Sequence, residues 1–268
     1  MGRGNLGLPI AIQNSIPFSK KICLTTEPII AMKRTMKIKP EQKVTLDLII
    51  SVGEDRQKVI QTIQEYQNSE KIKRSMELSR AKVEAQTRYL GRKGKELELF
   101  QKVAGYLIFQ NPLKSVIEPQ KVNELIPIAE LWKYGISGDL PILLVKIKEV
   151  ADIDVVKEAL NAYEYLRVKN INIDLLILNE EKHNYENYLR EEIQNAILNK
   201  NIGYLQNQKG GIFVLENITK EEKRKLQYRA NLVIDASLGT ISRQLKDLEE
   251  EYLEQNKEIA NEVNLNNF

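Results

Sequence analysis

The densest run of groups able to do chemistry is Leu131-Trp132-Lys133-Tyr134-Gly135-Ile136-Ser137-Gly138-Asp139-Leu140-Pro141. Two glycines, a serine and an aspartate in so short a stretch can build a nest of backbone N–H groups that holds an anion. Phosphate-binding loops, however, follow a strand and open a helix, so that the anion meets the helix N-terminus. Here the loop precedes an apolar strand pattern. That order puts it at the amino edge of a sheet, away from the carboxyl edge where open α/β sheets take ligands. The stronger expectation is a structural turn with Trp132 and Tyr134 packed beneath it. The alternative is a sugar contact, since an aromatic face beside the hydrogen-bonding groups of Ser137 and Asp139 suits a carbohydrate. On that alternative Trp132, Tyr134, Ser137 and Asp139 are the contact residues, with no catalytic residue and no metal ligand assigned.

A second set of polar groups stands where the expected strands end: Lys148 and Glu149, Asn179 and Glu180, Glu216 and Asn217, and Asp235. Carboxylates converging on one edge can act as acid and base or hold a cation. The plainer expectation is that they cap and solvate the helices that follow. His183 is the only histidine and Cys23 the only cysteine, which excludes a disulfide framework and multi-cysteine or multi-histidine zinc sites. His183 is expected to be exposed near a helix start, and Cys23 to be a small core residue, because no histidine accompanies it in sequence. Lys33, Arg34, Lys37, Lys39 and Lys43 read as a solvated face. Forty basic against 37 acidic residues leave a net charge of +3, too small to hold nucleic acid without clustering. The longest apolar runs fall far below the ~20 residues of a membrane span, and a reducing, cytoplasmic setting is expected.

The elements that would position these groups follow from periodicity. In a chain of 268 residues that is 42% hydrophobic and 29% charged, a folded core is expected. Short β-favouring runs, Ile22–Thr26, Met36–Ile38 and Val44–Ile50, are separated by Pro28 and by Lys39-Pro40-Glu41, which predicts antiparallel strands and turns over residues 1–53. The alternation Val44, Leu46, Leu48, Ile50 gives the last strand an apolar face that needs a covering layer. Helical spacing then runs over residues 54–112 in three segments, punctuated by Gly91 and Gly94 and stopped at Asn111-Pro112. From residue 113 to 240 short apolar strands alternate with helices: strands Ile142–Ile147, Ile173–Leu178, Ile212–Leu215 and Leu232–Ile234, and helices Asp154–Lys169, Tyr185–Asn199 and Lys220–Arg229. Such alternation predicts a mainly parallel α/β sheet covered on both faces. Thr219-x-x-Glu222 is a capping box. Over residues 241–268 a helical stripe of Leu245, Leu248, Tyr252 and Ile259 runs into a polar tail. The expected fold is thus α/β, with antiparallel strands of a β-domain ahead of it; the partial β-sandwich comes from the resemblance that follows.

Tyr134-Gly135-Ile136-Ser137-Gly138-Asp139-Leu140-Pro141 resembles the "YGISGDLPI" segment of cyclic β-1,2-glucan synthases and β-1,2-oligoglucan phosphorylases, of glycosyltransferase family 36 and glycoside hydrolase family 94. Gly2–Leu6 and Leu24–Ile29 with Lys33-Arg34 resemble parts of that family's sugar-binding supersandwich. Ala85–Gly91, Leu160–Leu166 and Ile173–Glu180 are similar to its later helices and strand. The resemblance implies the C-terminal strands of a supersandwich, a helical linker and an α/β region. It further implies that the catalytic (α/α)6 barrel lies elsewhere, because no stretch here is long enough for it. The chain is then expected to be a carbohydrate-binding and scaffolding piece of a larger enzyme, not catalytic alone and without a cofactor. Its partners would be β-glucan or oligosaccharide and the remaining domains of that enzyme. A stand-alone α/β enzyme using the strand-end carboxylates, and an interaction module working through the C-terminal helix, are the alternatives. Val122–Glu130 departs from the Arg-rich stretch that precedes the motif in the family.

Overall fold

The computed structural model describes residues 32, 34–92, 94–109, 126–181 and 188–250. Cys23, Lys33, His183, the run Ile22–Thr26, the Asn111-Pro112 stop, and Tyr252 and Ile259 lie outside them. The chain divides into two compact units, Met1–Lys73 and Arg74–Phe268, with the boundary inside a long helix.

In the first unit the turn at Lys39-Pro40-Glu41 forms, closed by the Gln42 amide donating to the Lys39 carbonyl at 3.1 Å. The strands expected at Met36–Ile38 and Val44–Ile50 do not: both segments carry no ladder among the described residues. A strand is held by a neighbour that takes up its backbone groups, and no described segment plays that part here. Val44, Leu46, Leu48, Ile50 and Val52 are accordingly exposed. After this segment Asp55 caps helix α1, Arg56–Glu65, by accepting from the Gln57 amide at 2.8 Å. Asn68 does the same for Glu70 at the start of α2, Ser69–Leu90.

The second unit is built on a four-stranded parallel sheet of β1 (Ile142–Ile147), β2 (Asp174–Asn179), β3 (Ile212–Leu215) and β4 (Leu232–Asp235), in the order β3-β2-β1-β4. Its helices are α3 (Lys95–Ile108), α4 (Ile153–Val168), α5 (Tyr188–Leu198), α6 (Lys220–Arg229) and α7 (241–250). Each strand has apolar residues on both sides, as parallel sheets require, so each face must be covered. Leu143, Val145, Leu175 and Ile177 pack with α3, α4, α5 and α7 in one core; Leu144, Leu176, Leu178 and Phe213 pack with Leu226 of α6 and Leu131 in the other. The reversal of face is forced by right-handed crossovers. The chain moves outward from β1 to β3 with α4 and α5 on one face, then returns past β1 to β4 with α6 on the other. Burying each such leucine or isoleucine contributes about 1.5–3 kcal/mol. The capping box at Thr219 and Glu222 opens α6 as the sequence predicts.

At the amino edge one charged group is fully buried. Asp174, the first residue of β2, accepts the Gly210 amide on Oδ1 at 2.8 Å, while its Oδ2 is buried without a hydrogen-bond partner. Burial pushes its carboxyl up, against the opposing pull of the Gly210 amide. Tyr163 Oη donates to the carbonyl of the same Gly210 at 2.6 Å, so the turn before β3 is gripped from both sides. The next residue must be glycine for a different reason: a Cβ on Gly211 would lie 2.0 Å from the Leu205 carbonyl oxygen.

Gly211→Ala is therefore expected to cost about 3 kcal/mol, the upper end of ordinary overpacking, read as a lowered urea midpoint; an unchanged midpoint would contradict the packing described. For Asp174 the sign follows from its raised carboxyl. A group that holds its proton more tightly when folded contributes stability below its unfolded value near 3.9 and loses it as pH rises through the folded value. Asp174→Asn keeps the acceptor for Gly210 and is expected to abolish that loss, which urea titrations of both proteins at pH 4 and pH 8 would compare.

Candidate functional site

The Leu131–Pro141 loop lies at the amino edge of the sheet, where the Asp174 amide donates to the Pro141 carbonyl at 2.9 Å. It begins with a single helical turn, Ala129–Trp132, that buries Leu131 in the second core. The amides of Tyr134 and Ile136 then bond the Leu131 carbonyl, and that of Gly135 bonds Trp132. The Asp139 amide bonds Ser137 Oγ at 3.3 Å. With these donors engaged inside the turn, an anion-binding nest loses most of its groups. Gly138 has φ +77°, and a Cβ there would come 2.5 Å from Ile128, so a close left-handed turn fixes this residue type.

The four residues singled out in the sequence meet different fates. Tyr134 packs partly into the second core as expected, and burial raises its pKa. Lys133 stands 4.9 Å over its ring and pairs with Glu222, whose carboxyl that contact and Thr219 hold down to about 2. Trp132 is not packed beneath the turn. It is 64% exposed, with its indole N–H held at 3.3 Å by the Ser137 carbonyl. The four-residue turn is too short to bury both Leu131 and its neighbour, and Leu131 takes the core position. Asp139 is exposed and paired with Lys209 at 2.7 Å, which lowers its pKa. The geometry thus joins Trp132 to Ser137 through one bond and Ser137 to Asp139 through another, leaving the indole face open. Lys209, three quarters of the chain away from the start and far from the loop in sequence, completes the group through the turn gripped by Asp174; only the fold brings it there.

At the carboxyl edge the strand-end residues are drawn into ion pairs. Lys146 meets Asp235 at 2.7 Å, with side chains 12% and 17% exposed. Glu180 lies between Lys148, at 3.8 Å, and Lys223 of α6. Asn179 donates to Glu216 at 3.2 Å, and Arg190 reaches the same carboxylate at 3.4 Å. Lys146 and Lys223 were not visible as site residues in the sequence, because one sits inside an apolar strand and the other in a plain charged helix. Burial pushes the Asp235 carboxyl up, but Lys146 and Ser237 outweigh it and hold it at about 2. Among the described residues no three metal-ligating side chains cluster, and no helix is long and apolar enough to cross a membrane.

With this geometry in view, comparison with known proteins places the chain. Residues 1–69 match the family model of the glycosyl hydrolase 94 supersandwich domain. The chain is therefore related to the carbohydrate-active group indicated by its Gly-Ile-Ser-Gly-Asp-Leu-Pro segment. Over 225 residues it is 28% identical to the cyclic beta-(1,2)-glucan synthase NdvB of Rhizobium meliloti (strain 1021), an alignment covering 82% of this chain and 8% of that relative. The chain thus spans a small part of the relative's length.

A carboxyl lowered on folding contributes stability above its unfolded value, and that contribution fades as pH falls through the folded one. For Asp235 the window runs from about 4 down to about 2. Asp235→Asn should flatten acid unfolding across it, and an unaltered acid transition in the variant would show that folding does not lower this carboxyl.

Proposed function

We propose that this chain is a carbohydrate-binding and scaffolding segment of an enzyme of the glycoside hydrolase family 94 type that makes or phosphorolyses β-1,2-linked glucan. The observation that carries this is the breadth of the match on one side and its narrowness on the other: most of this chain against 8% of a glucan synthase. On this proposal the segment supplies binding surface and support to the parent enzyme. In the first unit the exposed apolar series Val44, Leu46, Leu48, Ile50, of which Leu46, Leu48 and Ile50 line a groove of about 420 Å³ with Thr62 and Tyr66, supports the scaffolding part. Such a surface calls for cover, and the remaining domains of the parent are the partners of this proposal. The open indole face of Trp132, with Ser137 and Asp139 beside it, supports the carbohydrate part, because sugars pair an apolar ring face with hydroxyls.

Trp132 is the only tryptophan, so its fluorescence reports on the loop directly. Titration with a β-1,2-linked gluco-oligosaccharide is expected to give a saturable change that Asp139→Ala weakens at least threefold; a flat response at millimolar sugar would count against the binding role. Release of glucose 1-phosphate from oligosaccharide and phosphate by this chain alone would overturn the non-catalytic part.

A further inference from the structure

We propose that residues 251–263 of this chain lie along α2 and cover its face at Met76, Ser79 and Val83, in a charge-matched antiparallel helix pair. Two stripes point to this contact, each used in one half and open in the other. On α2 the positions 76, 79, 83, 86 and 90 recur at steps of three and four, the spacing of a seam that takes another helix. The C-terminal half of the seam is occupied. Leu90 packs against the first core, while Gln86 donates to the Val168 carbonyl at the end of α4 at 3.1 Å and accepts from Lys169 at 2.7 Å. The other half is open, with Met76 54% and Val83 47% exposed. The open stretch thus continues an interface already made.

The C-terminal helix carries the same arrangement. Its series Ile241, Leu245, Leu248 continues at the same steps to Tyr252, Gln255 and Ile259. Ile241 and Leu245 are buried and Leu248 packs against the first core; the rest of the series lies outside the described residues.

Both stripes leave the same face of the sheet past the same edge. α4 ends at the amino edge, where the chain enters β2. Gln86 meets Val168, and Arg92 donates to Asn161 further back along α4 at 2.9 Å, so α2 runs antiparallel to α4 and its residues ahead of Gln86 extend beyond that edge. α7 starts with the Ile241 amide bonded to Glu158 of α4 at 2.9 Å, and Glu249 then pairs with Lys102 of α3 at 3.0 Å. α3 ends at the amino edge too, where Asn231, just ahead of β4, donates to the Leu107 carbonyl at 3.4 Å. Residues that follow 250 therefore head for the edge that α2 crosses, in the opposite chain direction. Tethering in one helical layer raises the local concentration of one segment around the other.

The charges select the occupant. Beside the open part of the α2 seam stand Arg80 and Lys82, with Glu77 and Glu84 further round the helix. Beside the seam of the C-terminal segment stand Glu251 and Glu258, and residues 251–263 hold four glutamates against Lys257 alone. An antiparallel pair sets Tyr252 on Val83, Ile259 on Met76 and Glu251 beside Lys82. The α2 of a second copy would instead bring Arg80 and Lys82 against like charges, which disfavours that partner.

The test is photo-cross-linking of the full chain with benzoylphenylalanine in place of Tyr252 and, separately, of Ile259. Cross-links mapped by peptide mass spectrometry are expected on residues 76–83 within monomeric chains. Lys82→Glu is expected to lower their yield at least fivefold, and Lys82→Glu combined with Glu251→Lys to restore it. Lys82 is exposed, so its replacement leaves the core intact. No cross-link to residues 76–83, cross-links there only between two chains, or a yield that Lys82→Glu leaves unchanged would each overturn the proposal.

Discussion

The second unit depends on β1 being buried on both faces and paired on both edges. A parallel strand of that kind cannot reach its neighbours by a hairpin, so every connection must cross over, and the crossover hand is fixed. From this one constraint follow the reversal of face between α5 and α6, the two separate cores, and the position of the switch between β1 and β4. It also explains the unequal covering. One face carries four helices, whereas the other carries α6 and the turn ahead of the Gly-Ile-Ser-Gly-Asp loop. Leu131 and Leu226 do on that side what whole helices do on the other.

Because the sheet's interior admits no polar groups, they gather at its two ends, and the ends differ. At the amino edge the backbone turns inward, and the polar groups serve the chain itself: Asp174 and Tyr163 grip Gly210, while Asn231 accepts the Ile142 amide at 3.0 Å. What remains outside is the exposed Trp132 and the Asp139–Lys209 pair. At the carboxyl edge side chains pair with side chains, across strands and from α6 to the sheet. The first edge is held by bonds to the backbone, and the second by pairs of side chains.

The α/β part was legible in the sequence because its strands are short, continuously apolar runs separated by amphipathic helices. The strand Ile212–Leu215 and the helix Lys220–Arg229 lie where periodicity puts them, and the capping box marks a true helix start. The β-part was legible only as propensity. Val44–Ile50 alternates as a strand should, yet strand formation is decided by a partner, and no pattern within seven residues states whether a partner is present. The candidate site was half legible. Its loop announces itself through glycines and aromatics, but which of two adjacent side chains, Leu131 or Trp132, is buried depends on the core it faces. Lys209 and Lys223 carry no local signal at all, since a lysine becomes part of a site only through what the fold sets against it.

The two units illustrate how differently the same apolar content can act. In the second, leucines and isoleucines sit between a parallel sheet and the helices and turn that cover its two faces. In the first, an alternating apolar series of similar composition stands open, with five large side chains in water. Burying one of them would contribute about 1.5–3 kcal/mol, a gain that the described residues of the first unit forgo. The two units thus differ in what their apolar residues meet: in the α/β unit they are enclosed between sheet and helices, and in the first unit they stand open.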